Sequence, residues 1–131
     1  MALVVKGIQH LNLRVADLAR AQAFYVHALG FRVAFAKNDT VWLDAGGDLL
    51  GLSEGQAVPG TSDGAQHFGF IVEARAEVDA WLTQLRAHGV VAEKGPYDRS
   101  DGRSVYFRDP DGHLLEIFWI DPAFLAAPSR D

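Results

Sequence analysis

Two kinds of apolar pattern alternate along the chain, and they occur in the same order in both halves. Apolar residues at helical spacing cover about 18–29 and again about 77–88, and a glycine follows each segment. Shorter stretches typical of strands precede and follow each helical segment. The predicted strands cover residues 10–15, 31–37, 40–44 and 48–53 in the first half, and 67–72, 90–94, 103–108 and 113–120 in the second. This order predicts an α+β fold of two βαβββ modules in tandem.

The two modules repeat one another in detail. His10 opens one strand and His67 another, and each histidine has a valine five residues later. A glycine closes the following helix about 20 residues after each histidine. We expect one domain over 1–131, because a module of about 60 residues makes only a marginal core. Its parts are module one at about 5–53, a linker at about 54–64, module two at about 65–120 and a tail at 121–131.

Composition narrows the chemistry. The chain has no cysteine, so a bound metal must be held by nitrogen and oxygen ligands. Its formal net charge of −5 argues against nucleic acid as the main partner. No apolar run approaches the roughly 20 residues that a membrane-spanning helix needs. The default expectation is therefore a soluble cytoplasmic domain with no membrane partner.

Strand alternation places both histidines on a polar face. Leu11, Leu13 and Val15 alternate with His10, Asn12 and Arg14, so the two sets lie on opposite faces of the first strand. The same alternation turns His67 away from the apolar side of its own strand. Glu116 interrupts an apolar run, and burying a carboxylate is costly unless a cation or strong donors accompany it. His10, His67 and Glu116 are thus candidate ligands for one divalent transition metal ion: Mn, Fe, Zn, Ni or Co.

These residues could instead have only structural roles. A histidine at the start of a strand is commonly structural, and Glu116 could instead pair with Arg103, Arg108 or Lys94. Three further histidines belong to helices or a turn and are interpreted as structural: His27, His88 and His113.

Three segments carry a family resemblance. They are residues 10–18 (HLNLRVADL), residues 24–31 with their Phe-Tyr and Leu-Gly-Phe, and residues 105–116 (VYFRDPDGHLLE). Together with the paired layout, they resemble the vicinal oxygen chelate superfamily of glyoxalase I, extradiol dioxygenases, fosfomycin resistance proteins and bleomycin resistance proteins. The resemblance implies a concave sheet with the helices outside, and it places the family's metal ligands at His10, His67 and Glu116.

Differences among subfamilies narrow the implied activity. Glyoxalase I has a fourth ligand, a glutamate, at the position that Gly51 occupies here. Extradiol dioxygenases have an acid–base histidine shortly before the Val-Tyr pair, whereas residues 97–103 contain none. Both a glyoxalase-like isomerase and an extradiol dioxygenase remain alternatives.

Fosfomycin resistance proteins have the same ligand types and hold a phosphonate and a monovalent cation with a loop before the tyrosine-containing strand. Tyr106 and Lys94 resemble the catalytic positions of that site. The resemblance implies a transferase or lyase that adds a thiol or water to a small electrophile such as an epoxide, with a small-molecule substrate and a thiol co-substrate as partners. The candidate substrate-binding residues are Asn12, Ser100, Arg103, Trp42 and Trp119.

Two further expectations concern binding and assembly. A non-catalytic protein of the bleomycin resistance type would hold an apolar molecule between Trp42, Phe35 and Trp119. The resemblance also implies a homodimer, in which one site could take its metal ligands from one chain or from two.

Overall fold

The computed structural model describes residues 2–59 and 66–125. The chain divides into two compact units, Met1–Val58 and Pro59–Asp131. Residues 60–64 of the predicted linker and residues 126–131 of the predicted tail lie outside the described residues. Among the helices of the described residues, none has both the length and the apolarity that a membrane span requires.

Unit 1 is a βαβββ module. Its sheet has the strand order β1-β4-β3-β2, in which β1 and β4 are parallel and the other pairs are antiparallel. Val15, Tyr25, Leu43 and Leu52 are completely buried and form the centre of its core. The elements of the unit are β1 His10–Val15, α1 Leu18–Ala23 with a π-helical turn Phe24–Ala28, β2 Arg32–Lys37, β3 Thr40–Ala45 and β4 Asp48–Glu54.

Unit 2 has the same topology. Its strand order is β5-β8-β7-β6, again with one parallel pair, β5 and β8. Val78, Leu85, Val105 and Phe107 are completely buried between α2 and the sheet. The elements are β5 Phe68–Ile71, α2 Arg75–Ala87, β6 Lys94–Arg99, β7 Gly102–Arg108, β8 Leu114–Ile120 and α3 Pro122–Leu125. The prediction of two tandem βαβββ modules is confirmed.

Local signals in the sequence located the ends of the helices. Asp17 accepts a hydrogen bond from the Arg20 amide at 3.0 Å and caps α1. Gly30 and Gly89 have φ angles of +73° and +78°, which a residue without a Cβ adopts at low cost after a helix.

Two predicted elements differ from the structure. The first helix does not continue as an α-helix to Leu29, because its last turn is π-helical and buries both Tyr25 and Ala28. The strand predicted at 90–94 begins only at Lys94 and runs to Arg99. It contains Pro96, whose nitrogen has no hydrogen to donate, and such a residue is tolerated here because β6 is an edge strand with a register shift between Lys94 and Tyr97.

Candidate metal centre

The polar face of the unit 2 sheet is built by cross-strand register. Glu116 on β8 is paired with Gly69 on β5 and with Tyr106 on β7. Ser104 lies two residues before Tyr106, so strand alternation places both on the face that Glu116 occupies. His67 immediately precedes β5 and belongs to the same face as Gly69. The structure therefore brings His67, Tyr106 and Glu116 together on one face of the sheet.

Glu116 is buried among four polar partners, which are Ser104, Arg99, His67 and the hydroxyl of Tyr106. The Ser104 hydroxyl donates a hydrogen bond to its Oε2 at 2.6 Å, and the Arg99 guanidinium donates to the same oxygen at 3.2 Å. Nε2 of His67 lies 3.3 Å from the other oxygen, Oε1. The buried charge is therefore compensated by Arg99 and by a short charge-assisted hydrogen bond.

The arrangement of His67 and Glu116 fits a shared transition metal ion. Two donors, each about 2.1 Å from one ion, lie about 3.0 to 3.4 Å apart for octahedral to tetrahedral angles, and the distance from His67 Nε2 to Glu116 Oε1 is 3.3 Å. Gly69 keeps the space beside this pair open, because a Cβ there would come within 3.3 Å of Oε1. Imidazole nitrogen and carboxylate oxygen are ligands that Mn, Fe, Co, Ni and Zn accept.

Tyr106 and Lys94 adjoin this pair. The ring of Tyr106 meets the imidazole of His67 edge-on, with 5.3 Å between the ring centres. Burial and the neighbouring Glu116 carboxylate raise the pKa of Tyr106 to about 12. Nζ of Lys94 lies 5.7 Å from the centre of the Tyr106 ring and 5.5 Å from that of Tyr97. A phenol thus stands next to the candidate ligands, and an ammonium group stands next to that phenol.

In unit 1, His10 has surroundings like those of His67, but no carboxylate corresponds to Glu116. His10 meets Trp42 edge-on at 5.5 Å between ring centres, as His67 meets Tyr106. Gly51 pairs with Asn12 and Trp42 and so occupies the position that corresponds to Glu116. The Trp42 ring fills the space that a side chain at position 51 would occupy, since a Cβ on Gly51 would lie 2.8 Å from that ring. Unit 1 therefore offers one metal ligand at this position, the imidazole of His10.

The same face of unit 1 continues into an open cavity of about 820 Å³. Ser53 donates a hydrogen bond to Oδ1 of Asn12 at 3.1 Å, and its hydroxyl oxygen lies 2.7 Å from that of Thr40. Arg14, two residues beyond Asn12 on β1, brings a cation to the lining, and Lys37 brings a second. The face therefore runs from an imidazole at one end to a cavity at the other that is lined by hydroxyls and by charges of both signs, since Asp39 and Glu54 also line it.

Three of the predicted substrate-binding residues lie elsewhere. Arg103 forms a two-pronged ion pair with Asp79 of α2 and a further contact with Asp98. Trp119 is paired with Arg103 across the sheet, so both belong to the helix-facing side, opposite Glu116. Ser100 occupies the exposed turn between β6 and β7.

Two residues that contact Glu116 were missed by the sequence analysis, Ser104 and Arg99. Ser104 was detectable in principle, because its even spacing from Tyr106 places it on the site face. Arg99 was not, because its contact depends on where the β6–β7 hairpin turns, and the strand boundary predicted there was wrong.

A second group of possible ligands lies in the turn before β8. Asp109, Asp111 and His113 offer ligand atoms within 4.8 Å of one another. The buried Asp109 already stabilises the turn: its Oδ1 accepts from the amides of Asp111 and His113, and its Oδ2 lies 2.7 Å from Nδ1 of His113. The hydrogen bond to Asp109 raises the pKa of His113 above the ordinary value of 6.5.

This contact makes stability depend on pH. Because the folded state binds the His113 proton more tightly than the unfolded state, the stabilisation is fully present below pH 6.5 and is lost as the pH rises through the raised value. We expect His113→Gln to lower the free energy of unfolding by about 1.5–3 kcal/mol at low pH and by less at high pH. Urea unfolding of both proteins across this range measures the difference. A difference that grows with pH would contradict the assignment.

The model of the Glyoxalase/Bleomycin resistance protein/Dioxygenase superfamily matches residues 7–117. A metallothiol transferase FosB of Shouchella clausii is 30% identical over 118 residues, which cover 87% of this chain and 80% of that protein. A glutathione transferase FosA of Serratia marcescens is 32% identical over 117 residues, covering 87% and 81%. The crystal structure of FosX, a fosfomycin resistance protein from Listeria monocytogenes, aligns with a TM-score of 0.76 at 26% identity, over 90% of this chain and 96% of that one.

Proposed function

We propose that this chain, which belongs to the Glyoxalase/Bleomycin resistance protein/Dioxygenase superfamily, is a metal-dependent enzyme that adds a thiol or water to a small electrophile such as an epoxide. The observation that carries the proposal is the pair of donors on unit 2, His67 Nε2 and Glu116 Oε1, set 3.3 Å apart beside a buried tyrosine. The names of two relatives, a metallothiol transferase and a glutathione transferase, support the thiol reaction.

The proposed ligands are His67, Glu116 and His10. The assignment of His67 and Glu116 is supported by their geometry in unit 2. His10 rests on its equivalent place in the repeat and on the family resemblance. When bound, the ion would supply Lewis acidity at coordination positions that three protein ligands leave open.

The neighbouring side chains suit a reaction that develops negative charge on oxygen. The phenol of Tyr106 keeps its proton at neutral pH, as an ordinary tyrosine does, and can donate a hydrogen bond to an alkoxide. The ammonium group of Lys94 adds positive charge beside that tyrosine. Both would contribute most in the transition state, when the carbon–oxygen bond of an epoxide is breaking.

The thiol must come from a second substrate, because the chain has no cysteine. In the proposed reaction, the sulfur forms a bond to one epoxide carbon while the bond from that carbon to oxygen breaks. The thiol proton ends on the former epoxide oxygen, so the product is a hydroxy-thioether and no external oxidant or reductant is needed. If water replaces the thiol, the product is a vicinal diol.

A glyoxalase-type site with four protein ligands is disfavoured by the geometry of unit 1. Gly51 has no side chain to ligate, and Trp42 occupies the space where a carboxylate would lie. A second candidate function is binding of an apolar small molecule, which the partly exposed aromatic pair of Phe35 and Trp42 favours, with 6.2 Å between ring centres. Binding of an aromatic ligand by metal-free protein, without turnover when metal is added, would select it.

The test of the enzymatic proposal is an assay of adduct formation. Protein loaded with Mn²⁺ is incubated with a small phosphonate-bearing epoxide and either glutathione or L-cysteine, and products are identified by mass spectrometry. We expect turnover that falls about 100-fold in Tyr106→Phe, because a hydrogen-bond donor to the developing oxyanion is lost. Thr83→Ala on the exposed side of α2 is the matched control. Equal rates in Tyr106→Phe and the parent would remove the proposed role of this tyrosine.

A further inference from the structure

The two oxygens of Glu116 have different surroundings. Oε2 receives both hydrogen bonds, from the Ser104 hydroxyl at 2.6 Å and from Nη1 of Arg99 at 3.2 Å. Oε1 faces Nε2 of His67. A carboxylate held at one oxygen by two donors has a fixed orientation, so only the other oxygen is presented to an ion beside His67.

Both donors are themselves held in place. Ser104 is completely buried and sits in the middle of β7, paired with Phe118 of β8. Arg99 ends β6, and its Nε lies 3.0 Å from Oδ1 of Asp101 in the following turn. The guanidinium therefore lies between two carboxylates, and the Ser104 hydroxyl is shielded from solvent.

We propose that Ser104 is a positioning residue that, together with Arg99, holds Oε2 of Glu116 away from the metal, so that Glu116 binds the ion through Oε1 alone. This inference rests on the metal site of the proposed function and deepens it. Hydrogen bonds behind a ligand commonly set its orientation and strengthen metal binding. A carboxylate that uses one oxygen also leaves one more coordination position for substrate or water than a carboxylate that uses both.

Ser104→Ala tests the proposal, since it removes the hydroxyl from a buried position and creates no new charge. We expect the Kd for Mn²⁺ to rise about 10–100-fold. We also expect fewer exchanging water molecules on bound Mn²⁺, measured by water proton relaxation, because the released carboxylate can occupy an additional position. Ser104→Cys has a side chain of similar shape whose thiol is a much weaker hydrogen-bond donor. It is the second variant for this test if Ser104→Ala does not fold. Thr83→Ala, on the exposed side of α2 in the same unit, is the matched control.

The outcomes separate this inference from the proposed function. If the parent binds no Mn²⁺, both fail. If the parent binds Mn²⁺ and the Ser104 variants bind it with a Kd within about two-fold and the same number of bound waters, the positioning role is overturned while the metal site stands. Weaker binding with a changed water number, in a variant that is still folded without metal, supports the positioning role.

Discussion

Replacing Glu116 with glutamine is expected to weaken metal binding by more than about 100-fold, the largest single effect that we predict for the site. The amide oxygen is neutral, so the ion loses the negative charge of this ligand. The loss should exceed that of an outer hydrogen bond, because Glu116 contacts the ion itself in the proposed site. Metal content of protein purified without chelators, followed by competition titration with Mn²⁺, measures the change.

The matched control for this prediction is Glu93→Gln. Glu93 belongs to the same unit and pairs with Arg108 at 2.8 Å, away from the candidate ligands. Its replacement should leave metal binding unchanged. Unfolding of the metal-free proteins must be compared as well, because glutamine leaves the Arg99 guanidinium beside a neutral partner and lowers stability. A folded Glu116→Gln variant that binds metal as tightly as the parent would show that Glu116 is not a ligand.

Much of the fold was predictable because its signals are local. Asp17 as a cap, and Gly30 and Gly89 after the helices, act within a few residues of where they stand in the sequence. The repeat then joined these local elements into two equivalent modules. The start of β6 was mispredicted because the pattern of residues 90–94 is apolar, whereas the pairing that defines the strand is made by residues 94–99 with β7.

Alternation along single strands predicts the face on which a site residue lies, but not its contacts with other strands. Alternation turns His10 and His67 away from the apolar sides of their strands, and it also shows that Arg103 and Ser104 must point in opposite directions. The resemblance suggested Arg103 and Ser100, whereas the contacts with Glu116 are made by Ser104 and Arg99. Those contacts depend on cross-strand register and on the exact turn of the hairpin, which no pattern within one strand specifies.

The second large effect is expected for His10→Ala, which should remove stoichiometric metal as completely as His67→Ala does. The two histidines share their setting: His10 is the first residue of β1, His67 immediately precedes β5, and each is edge-on to an aromatic ring, at 5.5 and 5.3 Å. Unit 1 lacks a carboxylate at the equivalent position because Gly51 and Trp42 fill it, so we expect unit 1 to contribute one ligand and unit 2 to contribute two. Metal content of the two variants measures this, with His27→Ala on the exposed surface of the first helix as the control.

A further experiment on these variants shows whether the ligands come from one chain or from two. If His10→Ala retains metal while His67→Ala loses it, the site belongs to unit 2 alone and the argument from the repeat fails. If both lose metal, the His10→Ala and Glu116→Gln variants can be unfolded, mixed and refolded together. Ligands drawn from one chain leave every site of the mixture defective. Ligands shared between two chains restore one intact site in each mixed pair, because the intact His10 of one chain then meets the intact His67 and Glu116 of the other.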